Sequence, residues 1–239
     1  MGKVVTFSAL SFREAVTGVQ RALITGSDMK EMSAEVIRLA PGAALTERVP
    51  AGSDRYVFTL TGPATVSGRG MSHRMPEEAF ATIQEETEVT IAGLDGNEAM
   101  LISVVAPPSG SGTRSPGFSG GLAVAARATT PVHEVAEEKK HRIYFVGKGA
   151  VHSERAHAMI VLYAPDTVTS LHMHPNAESM FVFLSGKTGF TVNGQDVIVE
   201  RGQATYFPAG DRHGLHVAEG AGVSFLEFHI PAAYTTVRG

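Results

Sequence analysis

The chain contains no cysteine, which removes disulfide frameworks, zinc ribbons and every other thiolate-held metal from consideration. Any metal must be held by histidine, carboxylate or backbone oxygen. Long apolar runs are missing too: none reaches transmembrane length, and Met1 to Ser8 lacks the basic and apolar regions of a secretory signal. A cytoplasmic protein with no membrane contact is therefore expected. The formal net charge is −4 and no dense basic cluster is present, so nucleic acid is not the expected partner, because neutralising phosphates takes many Lys and Arg on one surface. A small-molecule substrate fits better. Helical periodicity is also scarce.

What is present is turn-rich strand. Short β-branched and aromatic runs are separated by Gly, Pro, Asn and Asp, with 26 Gly and 12 Pro in 239 residues, which predicts an all-β fold. Asn193-Gly194 between two such runs predicts a tight hairpin, since both positions tolerate positive φ. The charged stretch from Glu134 to Arg142 reads as a short helix or a solvated loop, with the loop favoured.

The sequence also repeats itself. Ala40 to Pro50 lies over Ala164 to His174 without a gap, Asp54 to Gly62 over Glu178 to Gly186, and Ser33 to Leu39 over His157 to Tyr163. A repeat spanning roughly half a chain implies two like-folded halves. The expected division is 1–106 for the first, 131–239 for the second, and a connecting segment over 107–130, rich in Gly and Ser.

His172-Met173-His174 carries the most chemical information. Two histidines at i and i+2 on a strand share a face, and His213, in the run Pro208-Ala209-Gly210-Asp211-Arg212-His213, can join them from a later strand. Glu178 follows at a distance suited to a fourth ligand. Counted back from Gly186, however, the ligand position falls on Ser179, and one residue of slippage turns a strand side chain to the opposite face. Either a bulge near Ser179 returns Glu178 to the interior, the favoured reading, or the site has three histidines alone.

These motifs resemble the two-part signature of the cupin superfamily. Gly202, Pro208, Gly210 and His213 stand as in its second motif, with Val217 where Asn is usual, and Asp166 stands where the first motif opens with Gly. The resemblance implies a bicupin: two jelly-roll β-barrels in tandem, with the metal motif kept only in the second. In the first half, Arg48, Pro50 and Asp54 take the places of His172, His174 and Glu178, with Thr90 near that of His213. Arg and Pro cannot ligate a cation, so this half is expected to be structural.

Imidazoles with a carboxylate suit one divalent transition metal per chain, such as Mn, Fe, Ni, Co or Zn. The expected function is a metal-dependent enzyme acting on a small oxygenated metabolite, of dioxygenase, isomerase, lyase or hydrolase type. Two alternatives are a hydrolase resembling ureidoglycine aminohydrolase, whose ligand spacing this chain does not reproduce, and a non-catalytic small-molecule-binding cupin. Candidate pocket residues are Tyr163, Phe181, Phe183, Tyr206, Glu227 and His229. His133, His141, His152, His157 and His216 are assigned to the surface. A homodimer is the expected assembly.

Overall fold

A computed structural model describes residues 1–94, 96–108, 115–218 and 222–239. The run Ser109 to Gly112 of the connecting segment lies outside them. The described chain is β-strand with only single turns of 3₁₀ helix, arranged as two barrels of paired sheets. The first barrel joins a seven-stranded sheet to a four-stranded one, and the second a seven-stranded sheet to a five-stranded one. Among the described residues no helix is long and apolar enough to cross a membrane.

The two halves exchange their first strands. Lys3–Thr6 pairs antiparallel with Gln203–Phe207 in the second barrel, while Leu122–Ala126 pairs with Ala79–Ile83 in the first. The expected connecting segment is therefore not all linker: Leu122–Ala126 is a strand of the first barrel, built mostly from small residues whose alternation is too short to stand out in sequence.

The large sheets of both barrels face each other across a shared core. Tyr56, Phe58 and Phe80 from the first half meet Phe145 and Phe228 from the second, and the Phe80 and Phe145 rings stack at 4.8 Å with 7° between planes. Burying each such ring is worth about 1.5–3 kcal/mol. Each barrel has a second core of its own inside, one around Val57, Ala81 and Leu101, the other around Phe181, Phe183 and Phe190.

The central strands are buried on both sides, so their side chains sort by parity. In Glu178–Ser185, Met180, Val182 and Leu184 face the shared core, while Phe181 and Phe183 face the second barrel's interior. The register irregularity of this strand lies between Phe183 and Ser185, far from Ser179. Glu178 thus shares the face of Met180 and points to the other half. This corrects the expectation of Glu178 as a metal ligand: its carboxylate accepts the backbone N–H groups of Lys30, of Glu31 at 2.9 Å and of Met32 at 3.0 Å.

Asp54 does the same in reverse. It opens the equivalent strand Asp54–Thr61 and reaches the second half, accepting from Ser153 Oγ at 2.6 Å and from Arg155 Nη1 at 3.0 Å, and it also holds Phe118 N–H at 2.9 Å. Lys30 to Met32 and Glu154 to Ala156 are themselves equivalent under the repeat. The position is kept acidic in both halves because it clasps the partner half.

Two further expectations change. Glu134 to Arg142 is not a loop: strand His133–Val135 and a 3₁₀ turn, Ala136–Glu138, lead into strand Lys140–Val146. Lys140 and Arg142 alternate with buried Ile143 and Phe145, and the charges on one face hid the strand. Tyr206 sits opposite Met180 and packs in the shared core, not in the pocket; its neighbour Phe207 faces the barrel interior. The Asn193-Gly194 hairpin forms as predicted, with both residues at positive φ and Val192 opposite Gln195.

Both clasps are buried, and removing one side of such a network leaves unpaired groups behind. Glu178→Ala and Asp54→Ala should each lower stability by about 2–4 kcal/mol in denaturant unfolding, with loss of cooperativity between the halves; unfolding midpoints equal to wild type would contradict this assignment.

Candidate metal centre

His172 and His174 come from strand Val168–Met173 and the turn after it, and His213 begins strand His213–Val217, paired directly opposite His172. One nitrogen from each lies within 4.8 Å of the others. Among the described residues this is the cluster suited to a metal, and no carboxylate belongs to it.

Each ring is aimed by a backbone carbonyl. His172 Nδ1 donates to the Ser170 carbonyl at 2.8 Å, His174 Nδ1 to that of Thr235 at 2.8 Å and His213 Nδ1 to that of Asp211 at 3.2 Å. A carbonyl can only accept, so each Nδ1 carries the proton and each Nε2 keeps its lone pair. His213 Nε2 is buried without a hydrogen-bond partner, an arrangement that costs free energy unless something electrophilic meets it. Three neutral imidazoles with carbonyl-fixed tautomers fit a divalent transition metal. Burial is the main cause that lowers all three pKa values, His174 to about 4, so the neutral, ligating form prevails near neutrality.

A cavity of about 100 Å³ opens beside the histidines. Of the residues expected in the pocket, Tyr163, Phe181, Glu227 and His229 line it; Phe183 lies fully buried in the packing beneath. Ser179, on the interior face, bonds His229 Nδ1 at 3.0 Å, and His229 Nε2 meets Glu227 at 2.6 Å. Both ring nitrogens of His229 are thus occupied, which leaves it no lone pair for a metal. Burial pushes the Glu227 carboxyl up, but His229, His157 and Arg142 outweigh it and hold the group down at about 2. A charged carboxylate therefore stands in the barrel although none is in the histidine cluster.

Sequence reasoning missed several neighbours. His157, assigned to the surface, pairs across the sheet with His229, and burial drives its pKa to about 4. Tyr234 stacks on the His229 ring at 4.0 Å. Asn176 ties the C-terminal segment over the site through the Thr235 N–H at 2.8 Å and the Ala233 carbonyl. No periodicity marks that segment, whereas strict alternation with His229 could have found His157. His133, His141, His152 and His216 are exposed.

Among the described residues, the first barrel's interior holds no such cluster. Arg48 points outward, 65% exposed, and pairs with Glu86. Glu47 faces inward instead, because Ala44–Arg48 is regular while the second half's strand shifts register between Thr169 and His172, bringing His172 in and leaving Leu171 out. Arg21, Arg55, Glu35 and Glu47 fill the space with ion pairs.

The cupin domain family matches residues 159–229, the part of the chain that carries all three histidines. The fold has solved counterparts along its whole length. A protein of Pseudomonas aeruginosa described as glyoxylate-induced is 16% identical with a TM-score of 0.78, over 95% of this chain and 87% of that one. Oxalate decarboxylase of Lactobacillus farciminis, solved with formate, is 15% identical with a TM-score of 0.74, over 98% and 88%. A cupin 2 conserved barrel protein of Leptotrichia buccalis is 17% identical with a TM-score of 0.69, over 95% and 96%. No curated protein is significantly similar in sequence. Residues 159–229 form a cupin domain, the chain as a whole has the two-barrel fold of the bicupins it resembles, and its histidine triad, in the second barrel, could hold a transition metal.

The His174 shift also predicts a pH dependence. Its folded pKa of about 4 lies below its ordinary 6.5, so in that window the unfolded chain binds the extra proton and stability is lost as pH falls. Metal-free protein should lose on the order of 1 kcal/mol from His174 alone between pH 7 and pH 5. His174→Gln should flatten the profile by that amount in thermal unfolding; an unchanged slope would contradict the buried neutral ring.

Proposed function

We propose that this bicupin is a single-site, metal-dependent enzyme acting on a small oxygenated metabolite in its second barrel, with His172, His174 and His213 as the protein ligands of Mn, Fe, Ni, Co or Zn. The observation that carries this is the set of three inward Nε2 atoms, each fixed by a carbonyl behind it, beside an open cavity. When bound, such a metal supplies Lewis-acid polarisation of a carbonyl or carboxylate, or activation of dioxygen or water. Three protein ligands leave positions for substrate, in a tetrahedral or an octahedral shell alike.

The chain's own groups support chemistry there. Phe181, Phe190, Leu215 and Phe225 supply an apolar part of an otherwise largely polar lining. Glu227 provides a fixed negative charge beside the site and orients His229, whose other nitrogen is held by Ser179. At roughly 10–15 Å³ per water-sized group, the cavity admits a molecule of about ten such groups or fewer.

Turnover separates an enzyme from a binding module. Protein loaded in turn with each metal should consume one member of a panel of diketones, thiols, phenols and ureido acids, followed by oxygen uptake and product analysis. Glu227→Gln should reduce the rate about 10–100-fold with metal retained. Tight binding of a panel member without consumption, under every metal, would favour the non-catalytic cupin instead.

A further inference from the structure

One wall of the cavity is cationic. Lys140 and Arg142 occupy the interior face of strand Lys140–Val146, and Arg238 lies directly opposite His172 in the facing sheet. Only Glu138 and Glu227 offset these three charges among the cavity's lining residues, which leaves an excess of one positive charge before any metal is counted.

The internal repeat supplies a control for what this means. Arg142 sits opposite Val161 as Arg21 sits opposite Ile37, and Val161 and Ile37 are equivalent positions, so the two arginines are equivalent. In the first barrel the guanidinium is fully engaged: Nε and Nη2 of Arg21 donate to Glu35 at 2.8 and 2.6 Å, and Nη1 donates to Glu47. In the second barrel both acids are gone. Met159 stands at the place of Glu35, and the inward position of Glu47 is taken by His172. The arginine has been kept while its internal carboxylates have been exchanged for a thioether and a neutral imidazole. Arg142 keeps Glu138, at 2.9 Å from Nη2 and 40% exposed at the rim, and also feels the Tyr144 hydroxyl and the charge of Glu227, but no carboxylate forks its guanidinium as Glu35 does Arg21, and its Nε is buried with no hydrogen-bond partner among the described residues.

We propose that Arg142, flanked by Lys140 and Arg238, anchors the carboxylate of a small organic acid whose other end reaches the three-histidine site. A planar guanidinium binds a carboxylate through two parallel hydrogen bonds, and the ligand's carboxylate would stand where Glu35 and Glu47 stand in the first barrel. The substrate class is thus a short acid, with an oxygen function at the metal end and its charge at the cationic wall. This deepens the proposed metal-dependent function and rests on it for the second half of the statement only, since the anchor belongs to the protein itself.

Calorimetric titration tests it with glycolate and malonate against glycolamide and malonamide, in metal-free and in Mn²⁺-loaded protein. Wild type should bind the acids at least about tenfold more tightly than the amides in both forms. Arg142→Gln should weaken acid binding about tenfold or more with Mn²⁺ stoichiometry unchanged, and Arg142→Lys should recover part of the loss. Met159→Glu, which reinstates the first barrel's internal partner for the arginine, should block acid binding while Arg142 neutralises the new charge; it decides the matter if Arg142→Gln does not fold. Equal affinity for acids and amides, no acid binding by wild type, or unchanged acid affinity in Arg142→Gln or Met159→Glu would overturn the anchor. Failure of wild type to retain Mn²⁺, Fe²⁺, Ni²⁺, Co²⁺ or Zn²⁺, each offered in turn, would overturn the metal reading instead, with the metal-free titration still deciding the anchor.

Discussion

Strict alternation along the doubly buried strand Glu178–Ser185 is the constraint on which the rest depends. One face must serve the core shared with the first half, and the other must serve the interior of the second barrel. A strand offers no third direction, so the identity of every residue on it follows from one register. That register sends Ser179, Phe181 and Phe183 inward and Glu178 across to Lys30, Glu31 and Met32. The cluster that could hold a metal is consequently made of three histidines, and negative charge reaches the barrel from Glu227 on the adjacent strand, held in place by His229.

The duplication makes the same point from the other side. Asp54 and Glu178 are equivalent, and each binds the other half, so the acid at this position joins the halves in both directions. The barrels differ in what fills them: the first is closed by an ion-paired group of Arg21, Arg55, Glu35 and Glu47, whereas the second replaces these with Arg142, Ser179, Met159 and His172. A sealed polar core and an open cavity beside three histidines are thus built on one backbone by exchanging a handful of inward positions. The exchange also requires a backbone change, the register shift between Thr169 and His172, without which His172 would face solvent as Arg48 does.

Much of this was legible in the sequence. The gapless repeat announced two like halves, the alternating runs and Asn193-Gly194 announced strands and a hairpin, and His172, His174 and His213 came together as their spacing suggested. Glu178 was misread because a local motif distance competes with a nonlocal fact, namely that its strand is covered on both faces. The conflict with the distance to Gly186 was visible in the sequence, but only the partner at Lys30 to Met32 resolves it. Lys140 and Arg142 were hidden in a charged stretch that reads as loop, because charges on a strand's interior face are expected only where a ligand or counter-ion awaits them. The C-terminal segment with Tyr234 and Thr235 has no periodic signal, since it is fixed by Asn176 and not by its own pattern.

The most direct test is metal content per chain, measured by elemental analysis on folded, purified protein in three forms: wild type, the His172→Ala/His174→Ala double variant and Glu178→Gln. A three-histidine centre with a structural Glu178 predicts about one transition metal in wild type, none in the double variant and about one in Glu178→Gln, at lowered stability. Metal lost from folded Glu178→Gln, or kept by the double variant, would contradict it.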